Sequence, residues 1–375
     1  MAGGIAFPIL PTVGERVGLS LAFIGVILAA NRAARIVANP LVGLITDRQG
    51  GRRTLLAGLV IQIAVMFLYW LGVKTSHAGA LFLAGRILHG PGSSAVFVAG
   101  QALALHLAAP DARGQAGGIV RGAAAVGVPV GLVLGGVLAD AWGEAATFEL
   151  ASVALVVATA IAFFAVPDAR VEAKRPSLRE TASALSDPRI AAIGGLSFAA
   201  SFAGSGLVLT TTVLLVKARH LGLAGLPERA SASLFMGWLV VAEAVTMPVF
   251  GRLGDRRAAH AWIATLGVAL LVPSLLLVAH AHTPAAYAIG LGLLGAGVGA
   301  LGPSVLALLG DLAPPHLRGV SVGALQVCSD VGGAAGPLVG TVFFATSTER
   351  PYEITAILVA LFVPAALWLA RTNRA

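Results

Sequence analysis

From Ala258 to Gly310 the chain has no Asp, Glu, Lys or Arg. A run of that length cannot be kept wet, and it is long enough for two helical crossings of a hydrocarbon layer at roughly 20 residues each. His280, His282 and Pro284 mark the turn between the two crossings. Thr54–Val73 and Ile190–Val216 are free of charge in the same way. Across the 375 residues 57% are hydrophobic and 11% charged, with a mean hydropathy of +0.90. Soluble domains run near about a quarter charged, so this chain cannot cover itself with a hydrated surface. In lipid only a helix satisfies its own backbone within one segment. The period-two polarity of barrel strands is absent.

The apolar runs predict spans at 1–13, 20–46, 54–73, 78–108, 115–139, 145–166, 190–216, 230–253, 258–280, 284–311, 319–345 and 352–370. The first is short, since about 13 residues rise only ~20 Å against a core of ~30 Å. It reads as a span entered part-way. A signal peptide is the alternative, but no basic lead precedes it. Orientation follows from Lys and Arg. With the 46–53 loop in the cytoplasm, Arg48, Arg52, Arg53, Arg113, Arg170, Lys174, Arg175, Arg179, Arg189, Arg252, Arg256, Arg257, Arg318, Arg371 and Arg374 lie inside. Only Arg16, Lys74, Lys217, Arg219, Arg229 and Arg350 then lie outside, and the C-terminus is cytoplasmic. Pro167–Arg189 holds Pro167, Pro176 and Pro188 among mixed charges and reads as a linker between two bundles.

The halves repeat. Gly43-Leu44-Ile45-Thr46-Asp47-Arg48 returns as Gly251-Arg252-Leu253-Gly254-Asp255-Arg256, and Pro110-Asp111-Ala112-Arg113-Gly114 returns as Pro315-His316-Leu317-Arg318-Gly319. In the second register Gly127, Gly131 and Gly135 fall on Gly332, Gly336 and Gly340. Both copies follow an even-numbered span, so the repeat is parallel, about an axis along the membrane normal. These residues resemble the major facilitator superfamily, in the style of its twelve-span drug:proton antiporters. Gly43–Arg53 is similar to the family's signature loop between spans two and three, with Gly51 where a basic residue is usual. Arg86-Ile-Leu-His89-Gly90 resembles its fourth-span motif, and Gly127-Val-Pro129-Val-Gly131 is a loose match to the fifth-span antiporter motif.

The resemblance implies an all-α integral membrane fold of two six-helix bundles, 1–166 and 190–375, joined by a linker at 167–189. It also implies that Asp47 and Asp255 dock on helix N-termini of the other half when the inner gate closes, where a carboxylate gains ~0.3–1 kcal/mol. Arg48, Arg52, Arg53, Arg256, Arg113 and Arg318 belong to the same gate. The bland alternative is an ordinary loop cap with positive-inside charges. Intramembrane charges are costly unless paired or hydrated, and here they are Arg32, Arg35, Arg86, Arg121, Glu243 and Asp330. Arg35 and Asp330 each lie ~16 Å from the cytoplasmic end of their span. In the repeat register Arg35 falls on Glu243. Arg35–Asp330 and Arg121–Glu243 are therefore expected as pairs between the halves, or else as charges hydrated by a cavity. Arg86 resembles the span-four arginine that the family associates with proton coupling. Internal partners are expected to neutralise the embedded arginines; unneutralised, they would favour anionic or zwitterionic solutes. Glu243, Asp330 and Glu149 are the candidate proton carriers, because a carboxyl removed from water can exchange its proton at working pH.

Other features exclude other classes. The net charge of +8 sits in short loops without a basic, aromatic-interleaved face, so no nucleic-acid partner is expected. Cys328 stands alone, no third ligand joins His280 and His282, and neither metal nor cofactor is expected. His89 and His106 read as packing residues. Gly290-Leu-Gly292-Leu-Leu-Gly295 fits a dinucleotide fingerprint only by letters, since no strand precedes it. No catalytic constellation is present. The expectation is a monomeric transporter of the inner (cytoplasmic) membrane, exporting a small organic solute against protons. A metabolite importer or facilitator, and a non-transporting relative, are the alternatives.

Overall fold

The computed structural model describes residues 2–107, 113–167, 187–223, 225–257, 259–312 and 318–372. Among them every regular element is a helix. The chain divides into two compact units, Met1–Lys174 with Ala232–Leu234, and Arg175–Ser231 with Phe235–Ala375. Most of the expected linker lies outside the described residues.

The first unit holds α1 (Ala2–Arg16), α2 (Leu21–Gln49), α3 (Gly51–Lys74), α4 (Ala78–Leu107), α5 (Arg113–Trp142) and α6 (Glu144–Ala165). Its core is built at helical spacing, with Ile5, Ile9 and Val13 of α1 against Ile24 and Leu28 of α2, Met66 and Tyr69 of α3, Phe82 of α4 and Phe148 of α6. Gly50 allows the abrupt α2–α3 turn: its φ of 92° is open to glycine, and its N–H donates to the Thr46 carbonyl. The α5 glycine ladder admits α1 closely, for a Cβ on Gly135 would stand 2.6 Å from the Ile5 carbonyl oxygen.

In the second unit, α7 (Pro188–Ser201), a π-helical segment (Phe202–Val208) and α8 (Leu209–Ala218) form one continuous rod. It is followed by α9 (Glu228–Arg257), α10 (His260–Ala279), α11 (Pro284–Leu312), α12 (Arg318–Phe344), α13 (Arg350–Ala360) and α14 (Val363–Thr372). Gly206 of the π segment meets Gly336 of α12 so closely that a Cβ on Gly336 would lie 2.5 Å from the Gly206 Cα. Two tyrosines steady the junction below the π segment. Tyr287 donates to Thr212 Oγ1 at 2.9 Å and Tyr352 to Thr211 Oγ1 at 2.7 Å. Those threonines in turn donate to the Val208 and Leu207 carbonyls, at 2.7 and 2.9 Å. A π turn displaces its carbonyls from the regular ladder, and these hydroxyls supply donors there. At the end of α8, Arg219 donates to the Ala281 carbonyl, Thr348 and Glu349, tying three segments together.

Nine helical segments among the described residues are long and apolar enough to cross a membrane, so the chain is a multi-pass membrane protein. The helices outside that set are α1 with 15 residues, α4, and α5, of which Val126–Trp142 counts as a shorter apolar helix. The reason is visible in α4, where Arg86, His89 and the Gly90-Pro91-Gly92-Ser93-Ser94 stretch dilute the middle of the helix.

Candidate functional site

The interior of the first unit is organised around one arginine. Arg86 lies one turn beyond Phe82 on α4 and is 0% exposed. Gly85 beside it lets Tyr69 approach, since a Cβ there would be 2.5 Å from the tyrosine ring. The guanidinium carbon stands 4.8 Å from the centre of the Phe7 ring on α1. Such a contact is worth ~2 kcal/mol when desolvated. The Tyr69 hydroxyl is within electrostatic range of Arg86, and among the described residues no well-aligned hydrogen bond reaches it or Nε and Nη2 of Arg86. His89, one turn further along, is 6% exposed. It packs over α1 where a Cβ on Gly3 would be 3.1 Å from its Nε2. Arg86, Arg35 and Arg32 all lie within electrostatic range of its ring. Arg86 meets a ring face, a phenol and further cations.

The two repeated loops are built differently. Thr46 caps the end of α2, its hydroxyl donating to the Val42 carbonyl at 2.8 Å. Arg48 and Arg53 are exposed. Arg52 turns toward α6, where it donates to the Phe163 carbonyl and lies 5.2 Å above that residue's ring. The second loop holds its carboxylate locally: Asp255 pairs with His260 Nε2 at 2.9 Å. Gly254 makes room for the imidazole, because a Cβ at that position would collide with it. The side chains of Asp47, Arg113, Arg121, Arg256 and Arg318 lie outside the described residues.

In the second unit, Glu243 is half-buried on α9. A Cβ on Gly295 would lie 3.0 Å from the Glu243 nitrogen and one on Gly299 2.7 Å from its carbonyl oxygen, so α11 crosses α9 at this glutamate. Among the described residues no hydrogen bond or ion pair reaches its carboxylate. Asp330 is 0% exposed on α12. It follows Ser329, whose hydroxyl pairs with Ser201 at 2.5 Å. Glu149 belongs to the first unit. It sits near the start of α6, its side chain 56% exposed, 3.7 Å from Lys74 Nζ. It also accepts from Trp70 Nε1 at 2.6 Å. No group of three His, Cys, Asp or Glu able to hold a metal occurs among the described residues.

Sequence reasoning missed Phe7, Tyr69 and His260. An aromatic in an apolar run carries no sign of which side chain it will cover. His260 follows Asp255 by five residues, a signal that was available.

Comparison with known proteins adds the ancestry. The chain is 28% identical over 365 residues to a synaptic vesicular amine transporter of Homo sapiens, covering 92% of this chain and 66% of that protein. It thus spans just under two thirds of that transporter's length. It is 27% identical over 376 residues to multidrug resistance protein MdtG of Klebsiella pneumoniae, covering 96% of this chain and 88% of the relative. A bacterial homologue of the human lysosomal transporter Spinster, solved inward-facing and occupied, superposes with a TM-score of 0.81 at 14% identity, over 99% of this chain and 93% of that one. The human organic anion transporter MFSD10 gives 0.68 at 18%, over 97% and 95%. These two structures share the fold. The sequence profile of the Major Facilitator Superfamily matches residues 1–337 and again 196–374, and the chain therefore belongs to the Major Facilitator Superfamily.

Proposed function

We propose that this protein is a secondary active transporter that exports a small organic solute by alternating access, driven by proton entry. Family membership supports transport rather than catalysis. Relatives matched along nearly the whole chain are named for multidrug resistance and efflux. The observation that carries the coupling is Glu243, a carboxyl within a membrane span that no cation among the described residues engages. A carboxylate in that position is costly, so it exchanges charge for a proton as its surroundings change. In this reading Arg86 and Asp330 are further members of the coupling set, with Arg32 and Arg35 beside Arg86 in the first unit's interior.

The proposed architecture is two six-helix bundles, 1–166 and 190–375, joined by 167–189 and related by a parallel pseudo-two-fold. Asp47 and Asp255 close the inner gate together with Arg48, Arg52, Arg53, Arg256, Arg113 and Arg318. Arg35–Asp330 and Arg121–Glu243 pair across the bundles in the outward-facing state. The chain works as a monomer in the inner membrane, with its C-terminus in the cytoplasm.

Glu243→Gln tests the coupling. In proteoliposomes it should abolish solute movement driven by a pH gradient while sparing exchange of solute for solute. Loss of both activities would make Glu243 a binding or folding residue. Retention of both would favour facilitated movement without protons.

A further inference from the structure

The faces of α3 and α6 left exposed among the described residues have a regular composition. On α3 the exposed positions run Ala57, Val60, Ala64 and Phe67, and the same stripe reaches Lys74. On α6 they run Val153, Val156, Ala160 and Phe163, beginning at Glu149. The helices are antiparallel neighbours, as two contacts show: Arg52 at the start of α3 meets Phe163, and Lys74 at its end meets Glu149. From Arg52 to Lys74 the helix rises ~33 Å, about the thickness of a bilayer core. The groove between the stripes therefore spans both leaflets, the acyl chains of one lipid filling about half of it, and Lys74, Glu149 and Trp70 stand at the depth of a headgroup.

Those three residues leave specific capacity unused. Lys74 and Glu149 are 50% and 56% exposed, and at 3.7 Å their contact is too long for a hydrogen bond. Lys74 Nζ lies 4.5 Å over the Trp70 ring, which stacks on Phe67. Glu149 Oε1 takes both the lysine and the indole N–H, and among the described residues nothing bonds Oε2. A cation with N–H donors left over thus stands beside a carboxylate oxygen that accepts nothing, above an apolar groove.

We propose that this end of the α3–α6 groove binds a phospholipid whose headgroup carries both a phosphate and a primary ammonium, namely phosphatidylethanolamine. Lys74 donates to the phosphate, Glu149 Oε2 accepts from the ammonium, and Trp70 shields both contacts. A purely anionic headgroup brings its charge against Glu149. A choline headgroup presents methyl groups where Glu149 needs an N–H. The site is independent of the transport reading.

The test is native mass spectrometry of the purified full-length chain. It is offered phosphatidylethanolamine, its N-monomethyl and N,N-dimethyl forms, phosphatidylcholine and phosphatidylglycerol, all with identical acyl chains. The wild type should retain phosphatidylethanolamine about tenfold over phosphatidylcholine, the effect of one charge-assisted hydrogen bond. Retention should fall stepwise as each N–H is replaced by methyl. Glu149→Gln should bring it to the phosphatidylcholine level, and Lys74→Gln should lower retention of both lipids. Equal retention of the two lipids, a preference for phosphatidylglycerol, or variants that bind like wild type would overturn the proposal. The methylation series needs no variant, so it decides the matter even if a substitution fails to fold.

Discussion

Arg86 shows how a single residue can be visible in the sequence while its environment is not. An arginine in the middle of an apolar run has to be explained, and the explanation expected from charge alone was an acidic partner. The structure supplies the Phe7 ring and the Tyr69 phenol. A lysine at this position keeps the charge but loses the planar face that lies on the ring. Arg86→Lys should therefore retain part of the activity and Phe7→Leu should lower thermal stability, by ~2 kcal/mol at most, as read from unfolding curves in detergent. At Glu349 the expectation concerns pH. The Ser347 hydrogen bond first, then Thr348, its own backbone and the Arg219 charge, hold this carboxyl at about 2 against an ordinary 4.5. A carboxyl depressed in the folded state contributes stability that is present above its unfolded pKa and lost as pH falls through the folded one. The melting temperature should thus fall as the pH is taken from about 4.5 toward 2. Glu349→Gln should flatten that part of the profile, and a profile unchanged by the substitution would place the sensitivity elsewhere.

At the scale of elements, apolar run length located the helices well. The expected 145–166 is observed as Glu144–Ala165 and 54–73 as Gly51–Lys74, because in lipid a helix ends where charge and glycine begin. Features inside the rods were not legible. The expected span 190–216 contains a π segment at Phe202–Val208, and nothing in its composition announces it. It is recognised only with its surroundings in place, when Gly336 presses on Gly206 and Tyr287 and Tyr352 reach Thr212 and Thr211. The last span is likewise broken into α13 and α14. Two substitutions separate these roles. Tyr287→Phe removes a donor, while Thr212 keeps its own bond to the Val208 carbonyl, so the cost should be ~1 kcal/mol. Gly336→Val forces a side chain onto the Gly206 backbone and should prevent stable assembly, seen as aggregation in size-exclusion chromatography. A monodisperse Gly336→Val protein would show that this helix contact yields easily.

For the whole molecule, the family was legible from the repeated loops, and the candidate site only in part. Arg86, Glu243 and Asp330 stood out because charge in an apolar run is rare. Glu149 drew notice for the same reason, yet it lies toward a membrane interface beside Lys74, where charge is inexpensive. Asp255 stood out as one copy of a repeated loop, whereas its local pairing with His260 five residues on did not. The proposed Arg35–Asp330 pair belongs to this scale, since a pair formed in one conformation biases the equilibrium between conformations. Asp330→Asn should slow turnover more than it weakens binding, and exchanging the charges, Arg35→Asp with Asp330→Arg, should restore part of the rate. A double variant no faster than either single one would contradict the pairing. The central claim is proton-driven export, and its most direct measurement is gradient-driven solute movement in proteoliposomes of the purified chain, screened with a library of small organic compounds under an imposed pH gradient. The account predicts at least one compound that accumulates only while the gradient lasts, with protons moving in the opposite direction and both fluxes absent in Glu243→Gln. A compound carried at the same rate with and without the gradient, and with no proton movement, would contradict it.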